Sequence, residues 1–228
     1  MGGKMATWIM NQMHTVMYDA TIKNIPDTGR ILEIGVGNGV VMEKALKRSG
    51  AEFCGIDISG DMVNTTAKRN RKAIREGRLR LAEGSADAIP FAEGFDLIYT
   101  TNTVYFWKDL DAGLREIKNK LSPGGMFMNV LYTKEYLDKI SYTRWGFNKY
   151  TQDELIKAAE ENGFTASAET IQEGRSFVVK AFKRVDVPNK ETIEAIEEVK
   201  AMKKDPSLGK RYTDVDEMMR ELLSDSDD

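Results

Sequence analysis

An apolar run that ends in three alternating glycines occupies residues 31–39, which read Ile31-Leu32-Glu33-Ile34-Gly35-Val36-Gly37-Asn38-Gly39. The run predicts a buried strand, and the apolar spacing of Val41, Ala45 and Leu46 predicts a helix after the turn. A helix that follows a strand in this way offers the unpaired N–H groups of its first turn to a ligand. Glycine has no Cβ, so a ligand can contact the bare backbone of such a turn.

The spacing of these glycines argues against a dinucleotide as the ligand. A dinucleotide fingerprint reads G-x-G-x-x-G, whereas here the glycines are Gly35, Gly37 and Gly39 and the next residue is Val40. Glu33 lies within the predicted strand, and a buried carboxylate is costly without a partner, which a cationic ligand would supply. Taken alone, the turn is equally consistent with a tight turn that binds nothing.

A second strand that ends in an acid follows at residues 53–57, and its last residue, Asp57, lies 18 residues beyond Gly39. This is close to the spacing at which an acid meets the hydroxyl groups of a ribose, and a carboxylate can accept both hydrogen bonds of a diol. Met62, at the start of the next helix, either packs against an adenine or belongs to the ordinary core. The ligand is therefore expected to contain a nucleoside.

The ordered series of motifs resembles the class I S-adenosylmethionine-dependent methyltransferases. The series consists of E-x-G-x-G-x-G at 33–39, G-x-D-x-S at 55–59, A-x-x-I-P-F ending at Phe91, F-D-L-I at 95–98 and L-S-P-G-G at 121–125. The resemblance covers roughly residues 1–183. The most similar subgroup is the broad one that includes the ubiquinone and menaquinone C-methyltransferases, which is too diverse to name a substrate.

This resemblance implies a cofactor site for S-adenosylmethionine. The glycines would border the methionine and ribose portions, Glu33 would organise the amino end, and Asp57 would bind the ribose. The complete set of implied cofactor residues is Glu33, Gly35, Gly37, Asn38, Gly39, Asp57, Ile58, Met62, Ser85, Ala86, Thr101 and Asn102. The family usually has Asp at position 85; Ser85 is a weaker acceptor for the adenine amino group, and Asp87 is an alternative one.

The residues that bind the methyl acceptor are predicted from the aromatic residues and from the N-terminal segment, which covers the pocket in many proteins of this fold. The candidate substrate-binding residues are His14, Tyr18, Tyr105, Trp107, Tyr132 and Trp145. His14 is the lone histidine and a weak candidate for a general base, and it is otherwise a packed or solvent-facing residue. As a group the rings favour an apolar or aromatic acceptor, although each ring alone is more typical of core packing.

The alternation of predicted strands and helices indicates an α/β fold. We expect a Rossmann-like, seven-stranded, mostly parallel sheet with one antiparallel strand, helices on both faces and a helical C-terminal appendage. Strands are predicted at 30–35, 52–57, 79–83, 95–101, 124–131, 164–171 and 176–183, and helices at 5–23, 39–49, 60–76, 109–121 and 151–162. Residues 1–184 would form the methyltransferase domain, with a helical lid segment at 1–25.

Composition narrows the functional classes. One histidine and one cysteine leave no metal-ligand cluster of the usual spacing, and Cys54 cannot form an internal disulfide. The net charge of −3 argues against a broad nucleic-acid surface, so the basic run at 68–80 is expected to be a solvated helix face. No apolar run is long enough to span a membrane. A cytoplasmic protein is the simplest expectation, with the oligomeric state left open.

The tail at 185–228 has a different composition. It contains seven Lys and Arg against thirteen Asp and Glu, a net charge of −6, so the preceding residues carry +3. An amphipathic helix is predicted at 192–202 and a second one after Thr213. The tail resembles the toxin-binding part of RelB-type antitoxins. It is predicted either to bind a protein partner or to dock on the body of the chain or on another subunit.

Two functions follow from these observations. The first is a methyltransferase that transfers a methyl group from S-adenosylmethionine to a small-molecule acceptor. The second is a noncatalytic protein-interaction module in which the same fold carries an antitoxin-like tail. The acceptor atom cannot be read from the sequence.

Overall fold

The computed structural model describes residues 15–92, 94–184 and 190–205. The chain divides between Val185 and Asp186 into two units. The first unit contains the sheet and the candidate site, and the described part of the second is a single helix.

Seven strands form one sheet, and all seven lie where the sequence predicts a strand. In chain order they are β1 (Arg30–Ile34), β2 (Glu52–Asp57), β3 (Leu79–Glu83), β4 (Phe95–Thr101), β5 (Leu121–Tyr132), β6 (Phe164–Ile171) and β7 (Ser176–Lys183). Their spatial order is β3-β2-β1-β4-β5-β7-β6. Strand β7 runs opposite to the other six strands, and a short connection joins it to β6 as a hairpin. The predicted fold class is confirmed.

Eight helices occur in the described residues. They are α1 (residues 15–23), α2 (Val40–Arg48), α3 (Gly60–Arg69), α4 (Arg71–Arg75), α5 (Leu110–Lys120), α6 (Lys134–Asp138), α7 (Gln152–Glu161) and α8 (Lys190–Lys204). Single 3₁₀ turns cover Val104–Phe106, Ser141–Arg144 and Gln172–Gly174. Of these elements, α6 and the 3₁₀ turns are additions to the sequence-based prediction.

Two elements differ from the prediction by more than two residues. The helix expected at 60–76 is broken at Asn70, because the buried Asn70 amide donates to the carbonyl oxygens of Gly39 and Thr66 and fixes the chain there. Strand β5 begins at Leu121, ahead of the predicted residue 124, because Leu121 pairs with Phe95 before a shift in register. A bulge of this kind accommodates the following proline and glycines within a strand.

The site is positioned by the order of the strands. Strand β1 lies between β2 and β4, so the chain order reverses beside it. In open α/β sheets a ligand binds at the carboxyl ends of the strands at such a switch point. Strand β1 is buried from Ile31 to Ile34, and Glu33 is the one charged residue among these buried positions.

The predicted helix at 192–202 lies within α8. Val199 is half exposed there. The second predicted tail helix, residues 1–14 of the lid segment and the acidic C-terminus lie outside the described residues.

Candidate active site

The glycine turn after β1 is held by backbone hydrogen bonds to the neighbouring strand. The N–H groups of Gly35 and Val36 both donate to the carbonyl oxygen of Ile56, at 2.8 and 3.0 Å. Gly35 has a φ of +78°, and a Cβ at this position would collide with the methyl group of Thr103. Gly37 has a φ of +51°, and a Cβ there would meet nothing within 4 Å. Gly37 therefore presents bare backbone to open space.

The Asp57 carboxylate joins the end of β2 to this turn. Its Oδ2 accepts a hydrogen bond from the Gly37 N–H at 2.9 Å, and its Oδ1 accepts one from the Ser59 N–H at 3.0 Å. An ionised carboxylate has about four lone-pair positions, so both oxygens can accept further bonds. Asp57 thus shapes the turn and retains the capacity to bind a diol.

A cavity of about 470 Å³ opens at the carboxyl ends of the strands. Seven predicted site residues line it: Gly35, Gly37, Asp57, Ile58, Ser85, Ala86 and Trp107. Seven further lining residues are Ile34, Gly84, Asp87, Thr103, Phe106, Lys108 and Asp109. Thr103, Lys108 and Asp109 belong to no sequence motif. The one feature of the sequence that could have predicted them is their position shortly after β4.

A second hollow, of about 490 Å³, lies at the amino ends of β1, β2 and β4. It is lined largely by turn residues, among them Gly29, Gly50 and Gly94, and it contains none of the predicted site residues. Its position is opposite to the edge at which open α/β sheets bind ligands. The 470 Å³ cavity is therefore the candidate site.

Comparison with known proteins gives the class of the domain. Residues 31–125 match a family described as a methyltransferase domain. The uncharacterised methyltransferase YdaC of Bacillus subtilis is 31% identical over 120 residues, which cover 52% of this chain and 59% of that protein. The ubiquinone/menaquinone biosynthesis C-methyltransferase UbiE of Rhizobium meliloti is 29% identical over 146 residues, which cover 60% of this chain and 56% of that protein.

The chain is therefore similar, over residues 31–125, to the S-adenosylmethionine-dependent methyltransferase domains. It spans less than two thirds of the length of these two relatives. A solved structure of an S-adenosylmethionine-dependent methyltransferase from Aquifex aeolicus shares the fold, with a TM-score of 0.65 at 18% identity over 76% of this chain and 93% of that one. S-adenosylmethionine is the methyl donor of this domain class.

The residues present in this methyltransferase domain fit that cofactor. The cavity volume lies within the range of about 300 to 1,000 Å³ that small-molecule pockets occupy. Gly37 leaves an open approach to backbone, Asp57 is at the end of β2, and Ser85 and Ala86 lie at the other side of the cavity. Ile58, which is 76% exposed, offers an uncovered apolar surface to a planar base.

Six of the predicted cofactor residues do not line the cavity: Glu33, Asn38, Gly39, Met62, Thr101 and Asn102. Gly39 packs α2 against α3, since a Cβ there would lie 2.8 Å from Thr66 Oγ1. Asn38 is exposed, and its Oδ1 accepts from the Val40 N–H. Met62 is 36% exposed. The Thr101 hydroxyl forms a hydrogen bond with the Thr21 hydroxyl of α1. Their cofactor contacts remain predictions.

Glu33 lies buried behind the glycine turn of the methyltransferase domain. Tyr99 Oη donates to Glu33 Oε2 at 3.1 Å, and both side chains are buried. Burial raises the Glu33 pKa to about 8; the nearby Asp57 carboxylate also raises this pKa, whereas the Tyr99 hydrogen bond lowers it. The carboxyl group is thus largely protonated at neutral pH and would ionise when a cation is brought next to it.

Helix α1 packs on the end of β4. Thr21 Oγ1 lies 3.1 Å from Thr101 Oγ1, and the Asn102 amide donates to Met17 Sδ at 3.5 Å. Asn102 has a φ of +60°, a left-handed conformation that Asn tolerates better than most residues. Tyr18, also on α1, is partly buried, and burial raises its pKa, with a further contribution from Glu33. His14 lies outside the described residues.

The predicted aromatic substrate residues separate into buried and exposed groups. The buried Tyr105 hydroxyl accepts from the Tyr132 N–H at 2.6 Å and lies 3.1 Å from Asn102 Oδ1, to which it donates. Tyr105 and Tyr132 therefore support the wall of the site from behind. Trp145 is 86% exposed and Trp107 is 9% exposed, and only Trp107 lines the cavity.

Among the residues that the structure describes, no group of three or more His, Cys, Asp and Glu side chains could hold a metal ion. None of the helices in the same residues is long and apolar enough to cross a membrane.

Proposed function

We propose that this protein transfers a methyl group from S-adenosylmethionine to a small-molecule acceptor of apolar or aromatic character. The observation that carries the proposal is the 470 Å³ cavity at the switch point of the sheet, where Gly37 backbone and the Asp57 carboxylate face one space. The cofactor, when bound, supplies a methyl group on a positively charged sulfur. The protein aligns acceptor and methyl group in a pocket from which water is excluded.

Each part of the cavity has an assigned task in this proposal. Asp57 accepts the ribose hydroxyl groups, Ser85 and Ala86 contact the edge of the adenine, and Ile58 packs on its face. The turn of Gly35 and Gly37 borders the methionine portion. Glu33 acts from behind the turn, where its carboxylate stabilises the ammonium group of the cofactor. A positive charge brought near a buried carboxyl group favours its ionised form.

The acceptor class is inferred from the aromatic residues after β4. Phe106 lines the cavity, is 54% exposed, and packs against Phe147 with ring centroids 4.8 Å apart. Phe147 also contacts Tyr105, with centroids 5.5 Å apart. An exposed ring at the mouth of a pocket favours an apolar partner, and ring faces also attract a cationic sulfonium. The similarity to a quinone-biosynthesis C-methyltransferase agrees with an acceptor of this kind.

Isothermal titration calorimetry with S-adenosyl-L-homocysteine tests cofactor binding. We expect the wild type to bind and Asp57→Ala to bind about 100-fold more weakly, because two hydrogen bonds to a charged group are lost. The control is Asp61→Ala, which removes an exposed carboxylate on the first turn of α3. Unchanged affinity in Asp57→Ala would refute the assigned ribose contact.

Turnover tests the enzymatic proposal separately. Purified protein is incubated with labelled S-adenosylmethionine and small-molecule extracts of its own cell, and release of S-adenosyl-L-homocysteine is measured. Methylation of an extracted apolar compound is the expected result. Cofactor binding without turnover in any extract would favour the noncatalytic alternative.

A further inference from the structure

The segment that follows α6 exposes a tryptophan beside the mouth of the cavity. Trp145 is 86% exposed. Two residues further on, Phe147 packs against Phe106, which lines the cavity and is itself 54% exposed. The Asn148 amide donates to the Trp107 carbonyl oxygen at 3.0 Å. The segment is therefore held against the wall of the cavity, while the Trp145 ring stays open to solvent.

Positive charge accompanies the exposed ring. Residues 134–150 contain four Lys and Arg and two Asp and Glu, a net charge of +2, although the whole chain carries −3. One of the cations, Lys149, pairs with Asp138 at 2.7 Å. Lys139 and Arg144 are exposed, and neither side chain forms an ion pair with another residue in the described part of the chain. Two uncompensated cations therefore belong to the same surface as Trp145.

A lipid bilayer with anionic headgroups fits this combination of groups. A single exposed apolar side chain is ordinary, but here an exposed indole, an exposed phenyl ring and two free cations share one surface. Indole rings are enriched at the boundary between lipid and water, because one part of the ring is apolar and its N–H can stay hydrated. Each Lys or Arg near an anionic membrane strengthens binding by about fivefold. Nucleic acid is disfavoured, because it requires a broader basic surface.

We propose that residues 139–147 and Phe106 form a docking surface for an anionic lipid bilayer. Trp145 enters the headgroup region, and Lys139 and Arg144 contact the phosphate groups. The docking surface itself goes beyond the proposed function, because it requires no bound cofactor. Its consequence for the reaction rests on the proposed function: an apolar acceptor dissolves in a bilayer, so docking brings the mouth of the cavity to the phase that contains the acceptor.

Co-sedimentation of the full chain with lipid vesicles tests the proposal. The wild type should bind vesicles made of equal amounts of phosphatidylcholine and phosphatidylglycerol at least about tenfold more tightly than vesicles of phosphatidylcholine alone, because two cations contribute. This preference should decrease as the salt concentration rises, because salt screens exposed charges. Equal binding to the two kinds of vesicle, or binding to neither, would overturn the proposal.

Two variants remove the two parts of the surface. Trp145→Ala should weaken binding to the anionic vesicles by about tenfold, because the large apolar ring no longer leaves water. Lys139→Ala combined with Arg144→Ala should weaken it by a similar factor. The matched control is Arg71→Ala combined with Arg75→Ala, which removes two exposed cations from α4 and should change binding by less than about twofold. A larger loss in this control would place the docking surface on α4 and contradict the proposal.

Tryptophan fluorescence gives a second readout that a general loss of stability does not mimic. Addition of anionic vesicles should shift the emission of the wild type to shorter wavelength, because the Trp145 ring moves from water into the headgroup region. The shift should be largely absent from Trp145→Ala, and its persistence in that variant would contradict the assigned role of the ring. Thermal denaturation shows whether each variant is folded.

The outcomes distinguish this inference from the proposed function. If S-adenosyl-L-homocysteine binds the wild type but anionic vesicles do not, the proposed cofactor site stands and the docking surface is wrong. If the vesicles bind and S-adenosyl-L-homocysteine does not, the docking surface stands and the proposed function fails. If a single-stranded oligonucleotide of uridine displaces the vesicles and its binding is lost in Trp145→Ala, the surface recognises nucleic acid and the inference is wrong.

Discussion

The rim of the cavity formed by β1 and β2 is built differently from the rim that follows β4. The first consists of backbone: the turn at 35–39 is held by N–H groups bonded to Ile56 and Asp57. The second consists of side chains between Thr103 and Asp109, supported by a distant segment in which the Asn148 amide donates to the Trp107 carbonyl oxygen at 3.0 Å. The first rim therefore depends on the backbone conformation of the glycine turn and its bonds to strand β2, and the second on the packing of side chains.

The largest expected effect concerns the pH dependence of stability that arises from the Glu33 carboxyl group, which is buried behind the first rim. The pKa of Glu33 is about 8 in the folded chain against an ordinary value of 4.5, so between these values the folded state holds a proton that the unfolded state releases. Folding stability is consequently lost as the pH rises through this window, by as much as roughly 5 kcal/mol. Urea denaturation from pH 5 to 9 should show that Glu33→Gln gains stability relative to the wild type as the pH rises.

The matched control for this experiment is Glu52→Gln, which changes an exposed carboxylate at the start of β2. Its stability curve should run parallel to that of the wild type. If the stability of Glu33→Gln and that of the wild type changed in parallel with pH, the result would contradict the raised pKa of Glu33.

The second rim is tested by a pair of tryptophans. Trp107→Ala should lower the free energy of unfolding by about 3 to 5 kcal/mol and weaken cofactor binding, because Trp107 is buried against Phe127 and lines the cavity. Trp145→Ala should change both by less than about 0.5 kcal/mol, because an exposed ring loses little on truncation. Chemical denaturation and calorimetry measure the two effects. A loss of cofactor affinity in Trp145→Ala would place this ring at the site.

Two glycines of the first rim should respond differently to alanine. Gly39→Ala should lower stability by about 2 to 5 kcal/mol, because its φ of +73° is left-handed and its Cβ would also press on Thr66 and Asn70. Gly37→Ala adds only the cost of a left-handed alanine, about 1 to 2 kcal/mol, but puts its methyl group into the cavity. For a given loss of stability, cofactor affinity should therefore fall further in Gly37→Ala than in Gly39→Ala. A larger loss of cofactor affinity in Gly39→Ala would contradict a cofactor contact at Gly37.

The smallest expected effect is that of removing the tail. Deletion of residues 186–228 should leave affinity for S-adenosyl-L-homocysteine unchanged, since all lining residues of the cavity lie between Ile34 and Asp109. Calorimetry on the full chain and on the truncated chain measures this. A clear loss of affinity would show that the tail contributes to the site. The resemblance to RelB-type antitoxins, a protein partner and an oligomer stay predictions.

The first rim could be predicted in detail because its signals are local. A positive φ favours glycine, as at Gly35 and Gly37, and an acid at the end of β2 lies within hydrogen-bond distance of the turn. Strand positions were equally predictable, since buried parallel strands form continuous apolar runs. The break at Asn70 was not predictable, because it depends on a carbonyl oxygen about thirty residues away along the chain.

The second rim could be predicted only as a group of aromatic residues. Tyr105, Trp107 and Trp145 are all aromatic and follow strands of the sheet, yet one supports the wall, one lines the cavity and one is exposed. Periodicity does not separate these roles, because each depends on contacts with residues far apart in the sequence. The role of Thr103 likewise depends on a contact with a distant residue, because its methyl group lies against Gly35.

The sequence by itself determined the fold class, and it predicted the methyl donor and the half of the candidate site that is made of backbone. These follow from local conformational requirements and from the apolar pattern of the strands, which a linear chain contains in full. Only the tertiary structure decided which rings reach the cavity, that Gly39 packs α2 against α3, that Glu33 is buried with Tyr99, and that Ser85 donates a hydrogen bond to Asp87. Burial and the direction of a hydrogen bond depend on neighbours that folding brings together.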